Sequence, residues 1–266
     1  MFSLVEGTPV AAIVGGRKKK FISIAPEEEP SDPDTEECSD DEEEKTKQLT
    51  KILRQRSRMS TITLPAGEEV DIMPSPLPER MYIAGQSGCG KSTLASRYMV
   101  EYLKMFPKNK VFLFSRHEGE PTYKDVPHTA IKLNEELETT PIDLPELANS
   151  LVVFDDTDNL QDKKVSKAIA KLNDDIISNG RKYGIHSLTL AHQLLNHFKS
   201  RNILNETNRT VFFNSGTTFH IKNYLQKYIG LELKKVKKIL AVPSRWTLIS
   251  NGMPVYVLHQ RGAFIV

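Results

Sequence analysis

Eight residues, Gly85-Gln86-Ser87-Gly88-Cys89-Gly90-Lys91-Ser92, constrain this chain more than any other stretch. They complete the spacing G-x-x-x-x-G-K-[ST], with a short apolar run before them (Met81 to Ala84) and an amphipathic stretch after them (Lys91 to Phe106). A loop of this composition lets backbone N–H groups curl around a phosphate at a helix N-terminus, where the dipole also favours negative charge. It therefore demands a strand that ends and a helix that begins, the unit of α/β folds with a parallel sheet. Gly85 through Ser92, with Thr93, are the expected nucleotide-binding residues. Lys91 is expected to reach the β- and γ-phosphates of ATP, and Ser92 to hold Mg²⁺. Cys89 fills a permissive position as a small residue.

The loop's usual partner is an apolar strand ending in carboxylates, and Leu151-Val152-Val153-Phe154-Asp155-Asp156 supplies one. Asp155 is expected to organise Mg²⁺ and Asp156 to orient and polarise the attacking water. Adjacent residues of an extended chain point to opposite sides, so one acid can face metal and the other the nucleophile. Asp158 reads as helix N-terminal chemistry. A third apolar run, His186 to Ala191, ends in His192-Gln193. There Gln193 is a sensor for the γ-phosphate that needs no change of protonation, and His192 reads as structural. Arg181, in the polar turn Asn179 to Gly184, is a candidate finger onto a neighbouring subunit's ATP.

From Glu79 onward strands alternate with helices: Val111 to Phe114, Leu151 to Phe154, helix Lys163 to Ser178, His186 to Ala191 and Val211 to Phe213. A helix over Asn223 to Leu240 and a hairpin (Trp246 to Ile249, Val255 to His259) follow. Residues 1–26 read as an N-terminal β segment, with strands at Val10 to Val14 and Phe21 to Ile24. Residues 27–64 read as a linker, acidic and too polar to order itself over 27–44, then basic, with Lys45 to Met59 either a short helix (Leu49, Ile52 and Leu53 at helical spacing) or solvated chain. Residues 65–266 form the main α/β domain. No apolar run approaches the roughly 18 residues of a membrane helix, and Met1 to Gly16 lacks the basic lead of a signal peptide. Cys38 and Cys89, the two cysteines, fit a reducing compartment and give no metal framework.

Charge is segregated. Residues 27–44 hold 12 acids and no Lys or Arg, whereas residues 181–266 hold 13 Lys and Arg against Glu206 and Glu232. A polyanionic partner for the C-terminal third follows, with Lys234, Lys235, Lys237 and Lys238 as contributors or as a solvated helix face.

Together these motifs resemble the FtsK–HerA superfamily of DNA-pumping ATPases, specifically the poxvirus-type genome-packaging ATPases of large DNA viruses. The likeness rests on the glycine loop, on Leu151 to Asp158, and on Gly180-Arg181-Lys182-Tyr183-Gly184-Ile185 leading into Leu190-Ala191-His192-Gln193. Phe114-Ser115-Arg116-His117 and Leu204-Asn205-Glu206 add to it, so that it covers about Ile72 to Ile249. It implies a RecA-like P-loop NTPase acting as a homo-oligomeric ring, pentamer or hexamer, that drives double-stranded DNA into a preformed capsid. A capsid vertex or portal protein would be the partner, and the host cytoplasm and the virion the locations. It also implies Lys91, Asp156, Gln193 and Arg181 as catalytic residues, with Ser92 and Asp155 at the metal. Many cellular relatives have Asp-Glu where this chain has Asp155-Asp156. A cellular HerA-like translocase, a P-loop nucleoside kinase and an ATP-ordered assembly scaffold are the competing readings.

Overall fold

The computed structural model describes residues 1–16, 19–26, 59–116, 119–195, 201–213 and 218–266. The acidic run, and the linker expected around it up to residue 58, lie outside the described residues.

Five apolar runs build the centre of a large sheet: β6 (Arg80–Ala84), β7 (Lys110–Ser115), β9 (Ser150–Asp155), β10 (His186–Ala191) and β11 (Arg209–Phe213). β9, β10 and β11 are buried at every residue, the mark of strands covered on both faces. With β8 (Thr129–Ile131) they form a parallel block in the order β11-β6-β10-β9-β7-β8. An antiparallel extension runs β4-β14-β13-β12 onto β11, from β4 (Thr61–Thr63), β12 (Trp246–Ser250), β13 (Tyr256–His259) and β14 (Gly262–Ile265). This is the expected α/β P-loop architecture, RecA-like, with the expected antiparallel strands at the N-terminus.

Helices cover the faces with single apolar stripes. α1 (Lys91–Met105) buries Leu94, Ala95, Tyr98, Met99 and Tyr102, and α2 (Lys163–Asn179) buries Val165, Ile169, Leu172 and Ile176. α3 (Arg201–Glu206), α4 (Thr218–Lys227) and α5 (Leu233–Leu240) follow, besides the single turn Glu136–Thr139. The single helix expected over Asn223 to Leu240 is thus two. Gly230 interrupts it at φ 76°, a left-handed conformation that ends a helix cheaply only at glycine. Among the described residues, no helix is long and apolar enough to cross a membrane.

The N-terminal segment recruits a later strand. β1 (Phe2–Ser3), β3 (Lys20–Ile24), β2 (Thr8–Val14) and β5 (Glu69–Ile72) make a second, antiparallel sheet in that order. So β5 belongs to the small sheet, while β4 already joins the large one, ahead of the boundary expected at residue 65. A buried ion pair fastens the base of the large sheet: Arg209 donates to both carboxylate oxygens of Glu79, which also accepts from Tyr98 Oη at 2.5 Å.

Candidate functional site

The loop after β6 rises at the C-terminal edge of the parallel block, held by Gly85 N donating to Ala191 O at 3.1 Å. Gln86, Ser87 and Gly88 are exposed at its mouth, and Cys89 and Gly90 are half-buried. Gly90 caps α1 at φ 108°, a conformation that strains any residue with a Cβ. Lys91 is buried, its Nζ donating to Gln86 O at 3.3 Å, while Thr93 faces solvent.

Two strands away, β9 ends on Asp155. Ser92 Oγ donates to Asp155 Oδ2 at 3.1 Å, so loop and carboxylate strand meet at one oxygen. Tyr123, buried in the 3₁₀ turn Pro121–Tyr123, donates its hydroxyl to the same oxygen at 2.6 Å. Burial raises the Asp155 carboxyl above its usual range, and the Asp156 charge adds to this; the Tyr123 and Ser92 hydrogen bonds and Lys91 oppose it. Half-buried Glu120 is raised by burial and then by Asp155, against hydrogen bonds from Thr122 and Ser92. Asp155 Oδ1 is buried without a hydrogen-bond partner among the described residues. An orphaned carboxylate oxygen beside a serine hydroxyl is the donor set a hard divalent cation takes, so these residues fit Mg²⁺.

Asp156 departs from expectation in backbone, not in neighbourhood. It sits at φ 52°, ψ 32°, so the strand stops before it and the alternation of an extended chain does not orient it. Its Oδ1 lies 3.1 Å from His192 Nε2, which gives that histidine a partner in the site. Asp158 Oδ2 accepts from His192 N at 3.5 Å, and the cap of α2 is Asp162, which accepts from Lys164 N and Val165 N. Asp158 itself stands in the first turn of the 3₁₀ helix Thr157–Asn159, at a helix N-terminus as expected. Gln193 is exposed beside the loop, lining a cavity of about 300 Å³ with Gly85, Gln86, Ser87, His192 and His220.

Arg181 is not brought to this site. It is exposed in the 3₁₀ turn Gly180–Tyr183, before β10 begins, whereas Gln193 follows the end of β10. Six residues of strand, roughly 20 Å, separate the two edges. Conversely, the sequence reading missed Tyr123, Glu120 and Arg245. Arg245, just before β12, donates Nε to Cys89 O at 3.0 Å. Only Pro121, a signal for a turn, hinted at any of the three.

No family model matches the chain. Protein V3 of Sputnik virophage, itself uncharacterised, is 34% identical over 205 residues, 76% of this chain and 83% of that protein. Among solved structures, the pCW3 conjugation coupling protein TcpA, in a monomer form with ATPγS, aligns with 94% of this chain and 76% of its own at a TM-score of 0.51 and 14% identity. The genome packaging NTPase B204 of Sulfolobus turreted icosahedral virus 2, in complex with AMPPCP, aligns with 68% of this chain and 97% of its own at a TM-score of 0.48 and 10% identity. The chain belongs to one family with protein V3 of Sputnik virophage, and it shares its fold with the conjugation coupling protein TcpA.

Proposed function

We propose that this protein hydrolyses ATP and uses the energy to move double-stranded DNA into a viral capsid as a homo-oligomeric ring. The contact of Ser92 Oγ with Asp155 Oδ2 carries the hydrolytic part of this reading. It joins the phosphate loop to the carboxylate strand, as catalysis at a phosphoryl group by positioning and charge requires. The loop's N–H groups and Lys91 hold the phosphates. Ser92 and Asp155 would hold Mg²⁺, which when bound would neutralise charge on the phosphate oxygens. Asp156 takes the proton of the attacking water, kept in line by His192, and Gln193 reads the γ-phosphate from the cavity beside the loop. Arg181, exposed at the far edge, serves a neighbouring subunit's nucleotide and not its own.

Translocation rests on the motifs resembling the packaging branch of the superfamily and on the charge of the C-terminal third. A motor needs releasable, sequence-independent phosphate contacts, and α5 exposes Lys234, Lys235, Lys237 and Lys238 around buried Val236 and Ile239. A capsid vertex or portal protein would receive the DNA, at the assembly site in the host cytoplasm. The deciding measurement is ATPase rate with and without duplex DNA. Wild type should be stimulated by DNA and Lys91→Ala inactive. Asp156→Asn should bind ATP yet lose about 10²–10⁴ in rate. Transfer of phosphate to a nucleoside would replace the motor with a kinase.

A further inference from the structure

Arg245, exposed to solvent, holds its guanidinium against the glycine loop. Its Nε donates to Cys89 O at 3.0 Å, and its Nη2 is 3.2 Å from the point a Cβ on Gly90 would occupy. Gly90 is the cap of the 15-residue helix α1, whose first turn carries roughly half a positive charge. Cations stabilise the other end of a helix. Lys91, with only Gln86 O as its hydrogen-bond acceptor among the described residues, adds a second full charge. No carboxylate among the described residues pairs with Arg245.

The arrangement is nevertheless built. Arg245 N donates to Gln260 Oε1 at 2.8 Å, Gln260 N donates to Ser244 Oγ at 3.1 Å, and Ser244 Oγ donates to Trp246 O at 2.6 Å. These bonds fix the backbone from which the guanidinium reaches the loop. Nε is engaged by the loop, which leaves the two Nη groups and their four N–H bonds to donate elsewhere. A convergence of helix dipole, Lys91 and guanidinium is relieved by a polyphosphate.

Strand order says which part of it. β12 begins at Trp246, opposite Phe213 at the C-terminal end of β11, so Arg245 is at the same edge as the loop. In the order β12-β11-β6-β10-β9 it flanks the loop on one side, while Gln193 and Asp155 flank it on the other. The transferred phosphate belongs beside Asp155 and Gln193. We propose that Arg245 is a nucleotide-contacting residue of the same subunit, its guanidinium donating to the α- and β-phosphates that remain with the nucleoside. This rests on the ATP-binding reading of the loop and names a further residue in it.

The test is equilibrium binding of ATP and ADP to the full chain, wild type against Arg245→Gln and Arg245→Lys, with steady-state ATPase and thermal midpoints alongside. Arg245→Gln should weaken ATP and ADP alike by about tenfold or more, raising KM in step and leaving kcat within about twofold. Arg245→Lys should recover part of the loss, and the thermal midpoint without nucleotide should stay near that of wild type. Unchanged affinities in Arg245→Gln overturn the assignment. So does a fall in kcat with intact binding, which would put the side chain at the transferred phosphate. If wild type itself binds neither nucleotide, the reading of the loop fails instead.

Discussion

His186 opens β10 with its ring packed on Tyr102 and Phe106, at centroid distances of 5.0 and 5.3 Å. Burial pushes its pKa down to about 4 from 6.5. The unfolded chain thus takes up this proton near pH 6.5, while the folded chain resists it until about 4. The stabilising contribution is complete above pH 6.5 and is lost as pH falls towards 4, about 2 kcal/mol of it by pH 5. Urea midpoints at pH 7 and pH 5 should show that loss in wild type and much less in His186→Phe. At this scale the sequence displayed the glycine loop, Asp155 and Gln193, because local spacing defines them. It hid the left-handed turn at Asp156. It also hid Tyr123 and Arg245, which reach the site from 32 residues before Asp155 and 156 residues after Cys89.

Among the elements, α5 divides cleanly into an apolar face and a charged one. Val236 and Ile239 anchor it, and four lysines fill the opposite arc. Lys238 is partly held, its Nζ lying 4.5 Å from the centroid of the Phe264 ring. Replacing Lys234, Lys235, Lys237 and Lys238 by alanine should weaken duplex binding and flatten the dependence of log K on log salt by about three, given a slope near −0.9 per phosphate contact. ATP hydrolysis without DNA should be unchanged. A salt slope equal to wild type would move the DNA path elsewhere. The central strands and α2 were legible because apolar runs and 3.6-residue stripes are local signals. The break at Gly230 was not, since one glycine within an amphipathic stretch is tolerated as often as it terminates. The strand β5 went unread, since its pairing partner lies more than fifty residues upstream, across residues 27–58.

In the whole molecule, the parallel block puts the loop, Asp155 and Gln193 at one edge and Arg181 at the other. In the proposed ring a single subunit would therefore offer its loop at one edge and Arg181 at the other, to two different neighbours. If Arg181 works across a ring interface, Arg181→Ala and Lys91→Ala proteins should each be inactive alone and regain ATPase activity when mixed, since one supplies the loop and the other the finger. Full activity of Arg181→Ala by itself would end that idea.

The small sheet has its own consequence. Among the described residues, 1–26 meet the rest through the ladder of β2 on β5, through Phe2 and Met59, which exchange both backbone hydrogen bonds at 2.8 Å, through Met73 N donating to Val10 O, and through Phe2 on Tyr256 and Lys19 on Glu101. None of those pairings depends on covalent continuity through residues 27–58. The fold should therefore assemble from two polypeptides, one ending at 26 and one beginning at 59, the first adding strands to the edge of β5, and co-purification of the two would check it. A shorter protein starting at 65 would keep β5 but lose Met59 and its pairing with Phe2. It would strip β4 from β14 and leave an unpaired strand edge open to other copies.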